Sequence, residues 1–302
     1  MRSLRAVTEV PEYRPIFFTT DDGLRLFARD YSSADKTVTP VLCLPGLTRN
    51  SKDFEAIAPW LAQGRRVIAP DFRGRGLSQY AKDFATYRPD IELADSVSLL
   101  NFLNVPRVAV IGTSRGGIVG MLMAALHWDR LAGLLLNDIG PELEPAGLLR
   151  IRTYLGVQRE FGSWDAAIAG LKFNNPGFES LTANVWRAFA GRLFKEVNGL
   201  PCLDYDLALA NTFPTVEEIS AGQIANLWEI FACTAGLPVS ILRGEHSDLL
   251  SSATVAGIKQ KNTDLDATTV AHRGHAPFLD EPESKQAIVR WLGRIDANEK
   301  GR

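Results

Sequence analysis

The run Gly112-Thr113-Ser114-Arg115-Gly116 sets a serine between two glycines, with Gly117 following. The spacing suits a turn so tight that side chains at 112 and 116 would strike neighbouring backbone. A serine at such a turn, where a helix begins, has backbone N–H groups and the helix dipole to favour developing negative charge. Its hydroxyl attacks a carbonyl only if a base takes the proton. The chain has four histidines that could be this base, His127, His246, His272 and His275. His127 falls late in the helix that follows the serine, too far along it to reach back. His275 lies in His272-Arg273-Gly274-His275-Ala276-Pro277-Phe278, a loop between the last strand and the last helix. Gly274 suggests a bend that aims His275 inward, with His272 its rival in the same loop and His246 a loop residue bonding locally. A carboxylate must then fix the imidazole tautomer and stabilise its charged form. Asp248, in Arg243-Gly244-Glu245-His246-Ser247-Asp248, is the first choice, with Glu245 and Asp138 as alternatives.

These residues need a scaffold that brings their loops to one rim. Val41–Leu44, 66–69, 107–111, 131–136, 239–242 and 267–270 are apolar, largely β-branched or aliphatic runs that predict buried strands. Between them, 51–62, 90–103, 115–126, 253–261 and 283–295 carry apolar residues at helical spacing. Ile16–Thr20 and Leu24–Asp30 flank Asp21-Asp22-Gly23, which predicts an antiparallel hairpin. Alternating strands and helices make an α/β fold with a mostly parallel, doubly wound sheet. In such a sheet the loops at the carboxyl ends of the strands carry the site, and Ser114, Asp248 and His275 all follow strands.

Residues 141–221 break the pattern. They hold no convincing buried strand and are rich in aromatics, with helical periodicity over 146–161, 164–172 and 180–194. The sequence therefore predicts a core domain from 1–140 and 222–302, with a helical cap inserted at 141–221. Trp164, Phe173, Trp186 and Tyr205 are the candidate pocket residues of that cap. Asp204 and Asp206, on either side of Tyr205, are expected to be solvated loop carboxylates.

Composition narrows the partners. Of the 302 residues, 46% are hydrophobic and 23% charged, with a formal net charge of -2. That balance excludes a disordered chain and gives no basic footprint for nucleic acid. No segment reaches the ~18 consecutive apolar residues of a membrane span, and Met1–Pro15 lacks the apolar stretch of a secretory signal. Three cysteines, Cys43, Cys202 and Cys233, show no metal-ligand spacing and fit reduced thiols in the cytoplasm, Cys43 being a buried one. The glycines at 112–117 lack both the Lys-Ser/Thr of a phosphate loop and the GxGxxG pattern, so no nucleotide, haem, metal or other cofactor is expected. The oligomeric state is left open.

The order Ser…Asp…His, the Leu44-Pro45-Gly46-Leu47-Thr48 loop, and Asp71-Phe72-Arg73-Gly74-Arg75-Gly76-Leu77-Ser78 together resemble the α/β-hydrolase superfamily, in its serine hydrolase branch. The resemblance covers nearly the whole chain, and 141–221 stands where those proteins carry a cap. It implies an oxyanion hole from the backbone N–H groups of Leu47 and Arg115. One departure is Pro45-Gly46 in place of the His-Gly of many relatives. Asp71–Arg73 is expected to be a structural ion-pair loop. The implied reaction is hydrolysis of a small or medium-sized carboxylic ester through an acyl-enzyme on Ser114. Alternatives on the same residues are a hydrolase of carbon–carbon bonds in meta-cleavage products, a lactonase, an amidase or a cofactor-free haloperoxidase. Epoxide hydrolase and haloalkane dehalogenase are disfavoured because those relatives place aspartate where Ser114 stands. A receptor that binds a small molecule without turnover is the alternative of a different class.

Overall fold

The computed structural model describes residues 13–33 and 35–301. The Met1–Pro15 stretch therefore lies, up to residue 12, outside the described residues. The chain opens with the expected hairpin, β1 (Arg14–Thr19) antiparallel to β2 (Arg25–Tyr31). β3 (Val41–Leu44) and β4 (Val67–Asp71) follow, with the short helix α1 (Ala58–Leu61) between them. The continuous helix expected over 51–62 is instead a 3₁₀ turn at Ser51–Phe54, capped by Asn50, and then α1 with proline in its first turn. A proline that donates no N–H restarts a helix more readily than it continues one.

α2 (Pro89–Phe102), β5 (Val108–Thr113), α3 (Arg115–Leu126) and β6 (Leu131–Asn137) continue the alternation. The sheet then resumes only at β9 (Val239–Gly244), followed by α9 (Ser252–Lys261), β10 (Asp266–Val270) and α10 (Pro282–Lys300). The eight strands lie in the order β1-β2-β4-β3-β5-β6-β9-β10. From β4 to β10 every neighbouring pair is parallel. β5 shows why both faces must be covered: Val108 and Val110 join one buried cluster and Ala109 and Ile111 the other. Strand residues alternate between faces, so a strand apolar at every position needs helices on both.

The chain passes from β3 to β4 on one side, then crosses back to place β5 on the other side of β3. The reversal opens a crevice at the carboxyl ends of β3 and β5, where ligands settle in open α/β sheets.

The segment between β6 and β9 carries α4 (Pro145–Tyr154), α5 (Trp164–Asn174), α6 (Ala183–Leu193), α7 (Val216–Ser220) and α8 (Trp228–Ala232). α4 ends at Tyr154, short of the expected 161, and Gly156 with φ +73° turns the chain away. The segment also holds an unexpected hairpin, β7 (Phe194–Val197) against β8 (Leu200–Leu203). Its turn, Asn198-Gly199, has φ +53° and +80°, the geometry these residue types favour between two strands. The segment has a small core of its own in which Leu171, Phe178, Trp186 and Phe189 pack together. Phe178 of that core stacks on Phe278 from the loop after β10, with ring centroids 5.2 Å apart.

Candidate active site

Ser114 sits between β5 and α3 with φ +51° and ψ -113°, a backbone conformation that side-chain-bearing residues rarely adopt. The turn is sterically possible because its flanks are glycines. A Cβ on Gly112 would stand 2.5 Å from the Gly116 carbonyl oxygen, and one on Gly116 would stand 2.2 Å from that of Leu44. The strand thus delivers the serine on a strained point with its hydroxyl exposed at the rim.

His275 Nε2 lies 3.0 Å from Ser114 Oγ. The other ring nitrogen, Nδ1, lies 2.7 Å from Asp138 Oδ2. The sequence places Asp248 on this nitrogen; the structure puts Asp138 there instead. Asp138 comes directly after β6, the strand beside β5, with φ +55°. Its amide donates to the Leu242 carbonyl, so the β6–β9 pairing runs on to it. Gly244 N–H (2.7 Å) and Ser247 Oγ (2.6 Å) both donate to its carboxylate, which is fully buried. These two donors, with the backbone bond to Leu242, hold Asp138 where His275 needs it. Asp248, one residue beyond Ser247, makes no hydrogen bond to His275 among the described residues and forms a two-pronged ion pair with Arg150 of α4. Burial pushes the Asp248 carboxyl up, but Arg150 outweighs it and holds the group below its ordinary range. Arg150 also donates to the Asn174 carbonyl at 2.9 Å, so this pair fastens α4 and α5 to the core.

Two further contacts fix the histidine loop. Asn137, buried at the end of β6, donates to the Pro277 carbonyl at 2.9 Å. At Gly274 a Cβ would come within 2.1 Å of the Pro176 carbonyl oxygen. The glycine expected to bend this loop is thus required by the close passage of the β6–β9 segment. The remaining histidines stand elsewhere. His127 caps the end of α3, while His246 and His272 are exposed beside Glu245. The ligand-type atoms of that exposed trio lie within 4.8 Å of one another.

Of the two expected N–H donors, Arg115 directly follows the serine and Leu47 lines the same cavity as Ser114. Arg115 is the first residue of α3, so its amide has no carbonyl four residues back in the helix. Leu47 belongs to the loop after β3, where a Cβ on Gly46 would touch the Ser114 Cβ at 3.9 Å. A buried pair that no local motif announces anchors these two loops. Arg75 Nε donates to the Leu47 carbonyl at 2.8 Å, and its Nη2 pairs with Glu92 at 2.8 Å. Arg115 Nε takes the other Glu92 oxygen at 2.7 Å. Arg75 and Glu92 are fully inaccessible, and burial pushes the Arg75 guanidinium down against the pull of Glu92. Glu92→Gln would leave two guanidinium groups facing a neutral amide, and breaking a buried pair costs about 3–5 kcal/mol. Urea denaturation of the variant is expected to show a loss of that size.

The Asp71–Arg73 loop has the expected structural character. Arg73 pairs with Asp95 and Asp22, while Asp71 accepts from the amides of Ser51 and Leu77. Asp204 and Asp206 depart from expectation, because neither is simply solvated. Asp204 is buried against Lys52 Nζ at 2.9 Å, and Asp206 accepts from the Tyr87 hydroxyl at 2.6 Å. They pin the β6–β9 segment to the core on either side of Tyr205.

A cavity of about 150 Å³ opens above the serine, with Gly46, Ser114 and His275 on one wall and α5 and α6 on the other. Of the four aromatic residues expected to line it, only Tyr205 does. Phe173 is 86% exposed, Trp186 is buried within the segment's own core, and Trp164 packs against that core. The other lining rings are Phe54, Tyr154, Phe161, Phe189, Phe194 and Phe278. A helix periodicity marks an apolar face without saying whether a ring fills the core or borders a cavity. No helix among the described residues is long and apolar enough to cross a membrane.

Comparison with known proteins agrees with this architecture. A 3-hydroxybutyrate-oligomer hydrolase of Cupriavidus necator is 37% identical over 248 residues, covering 80% of this chain and 84% of that protein. A 2-(acetamidomethylene)succinate hydrolase of Mesorhizobium japonicum is 28% identical over 262 residues, covering 85% and 88%. The crystal structure of an alpha/beta hydrolase from Novosphingobium aromaticivorans superposes with a TM-score of 0.87 at 40% identity, covering 95% of this chain and all of that one. The model of the alpha/beta hydrolase family matches residues 41–284, from the first parallel strand into the last helix, and the chain accordingly belongs to that family of hydrolases.

Proposed function

We propose that this chain is a serine hydrolase that cleaves a small carboxylic ester through Ser114, His275 and Asp138. The hydrogen-bonded line Ser114 Oγ–His275–Asp138 beneath an apolar cavity carries this proposal. His275 Nε2 takes the proton as Ser114 Oγ attacks the ester carbonyl. The oxyanion rests on the amides of Leu47 and Arg115, and His275 returns the proton to the departing alcohol. Water then enters, His275 acts again as base, and the acid is released. Asp138 keeps Nδ1 protonated and offsets the charge of the imidazolium.

The size of the cavity supports a small substrate, since about 150 Å³ is the volume that holds a six-carbon ring. The Cupriavidus relative is named for oligomers of a hydroxy acid, whose units are joined by ester bonds, and this supports ester chemistry. Residues 141–221 act as a cap in this scheme, because α5 and α6 supply the cavity's outer wall. Three free thiols, one of them exposed, support a reducing compartment such as the cytoplasm.

The test is a panel of p-nitrophenyl acetate and butyrate, a linear 3-hydroxybutyrate dimer, a lactone, a simple amide and a vinylogous 1,5-diketone. The esters are expected to turn over at least about a hundredfold faster, by kcat/KM, than the amide and the diketone. Cleavage of the diketone with inert esters would instead assign the chemistry to carbon–carbon bonds. Binding of panel members without turnover of any would mark a receptor.

A further inference from the structure

The arginines around the cavity are not alike. Arg49, Arg159 and Arg192 line it: Arg49 grips Asp53 with two nitrogens, and Arg159 is exposed. Arg192, in the last turn of α6, borders the same cavity as Ser114 and has no carboxylate partner among the described residues. Its Nε is buried without a hydrogen-bond partner. The guanidinium lies over the Phe278 ring at 4.9 Å from the centroid, with Phe189 at 5.8 Å. Asp53 is the carboxylate that acts on it most strongly, and Asp53 is already engaged by Arg49.

Such a placement is costly. Burial pushes the Arg192 guanidinium down, yet arginine stays charged at any physiological pH. Arg192 is part-buried, and its orphaned Nε–H lacks the hydrogen bond that normally offsets burial of such a group. Its planar fork matches a carboxylate, and two charge-assisted bonds would form inside an apolar wall that strengthens them. The ring faces of Phe189 and Phe278 hold the fork without using its donors. Phe278 is three residues beyond His275, and Arg49, whose Cγ would touch a Cβ on Gly46, also lies over Phe189 at 4.8 Å. Ser114, Phe189 and Arg192 thus line one cavity.

We propose that Arg192 anchors a free carboxylate of the substrate, so that the site takes short acidic esters in preference to neutral ones. This rests on the serine hydrolase proposal and adds the class of ester. A linear dimer of 3-hydroxybutyrate has the required form, one internal ester and one free carboxylate. Replacing that carboxylate by a carboxamide leaves the scissile bond alone.

The test compares kcat/KM for the dimer and for its terminal carboxamide, in the wild-type protein, Arg192→Gln and Arg192→Lys. Wild type is expected to favour the acid at least about tenfold, and Arg192→Gln to lower that ratio by about 10–100-fold through KM, the range for a charge-assisted pair. Arg192→Lys should restore part of it. An acid-to-amide ratio unmoved by Arg192→Gln, or no preference in wild type, would overturn the anchor while Ser114-dependent hydrolysis of p-nitrophenyl esters stood. A purely structural Arg192 would depress both substrates equally and also fails the proposal. Should Arg192→Gln not fold, titration of wild type with butyrate and butyramide, followed by NMR, decides without turnover. Tighter binding of butyrate supports the anchor, and equal binding overturns it.

Discussion

Asp138→Asn is expected to lower kcat about ten-thousandfold, while Asp248→Asn keeps turnover within an order of magnitude of wild type. An asparagine at 138 offers its amide where Ser247, Gly244 and His275 all present donors. Its NH₂ group would force His275 into the tautomer with hydrogen on Nε2, which cannot accept the proton of Ser114 Oγ. In serine hydrolases that tautomer error costs about 10⁴ in kcat with the geometry intact. Asp248→Asn breaks none of these hydrogen bonds. It removes the charge that Arg150 grips, a part-buried pair, and should cost stability of order 2 kcal/mol. Steady-state kinetics on the two variants, with urea denaturation beside them, separates the two carboxylates. Equal losses of kcat would mean that Asp248 also serves His275.

Ser114→Ala is expected to remove about a million-fold of turnover while the fold persists. The loss of a nucleophile is nearly as severe as the loss of the whole catalytic group, because the three residues act as a unit. Folding should survive because the serine side chain packs against little, and the strained backbone at 114 is set by β5, α3 and the glycines around it. Alanine tolerates φ +51° no better than serine does, so the strain is unchanged in kind. Turnover of p-nitrophenyl acetate by the variant, measured after removing any wild-type carry-over, is the check.

The parallel strands and Ser114 are legible in the sequence because each rests on local signals. An apolar β-branched run, a glycine-flanked serine and a helical period define β5, the turn and α3 within about twenty residues. His275 is legible because it is the histidine of a loop that must emerge at the carboxyl rim. The acid is not legible in the same way. Asp138 and Asp248 both follow strands of the sheet, and what separates them is Arg150, more than ten residues beyond Asp138 in the inserted segment. Adjacency is the signal that favours Asp138: it ends the strand beside β5, whereas Asp248 lies four residues past β9.

The inserted segment shows the same limit at larger scale. Its helices are visible as periodicity, but Trp186 turns into the segment's core while Phe189, one turn on, borders the cavity. The β7–β8 hairpin carries the Asn198-Gly199 signal, yet only two of its eight strand residues are buried and it escapes a search for buried runs. Arg75 lies in a loop the sequence marks, but its pairing with Glu92 leaves no local trace. Their meeting beneath the Leu47 loop depends on α2 packing beside α3, which only the assembled sheet enforces.

The central claim, that Ser114 is the nucleophile activated by His275, is tested most directly by a fluorophosphonate probe that reacts with activated serines. Intact mass followed by peptide mapping is expected to show one adduct, on Ser114, absent in Ser114→Ala and formed far more slowly in Asp138→Asn. An adduct on any other residue, or none in a protein that still hydrolyses esters, would contradict the claim.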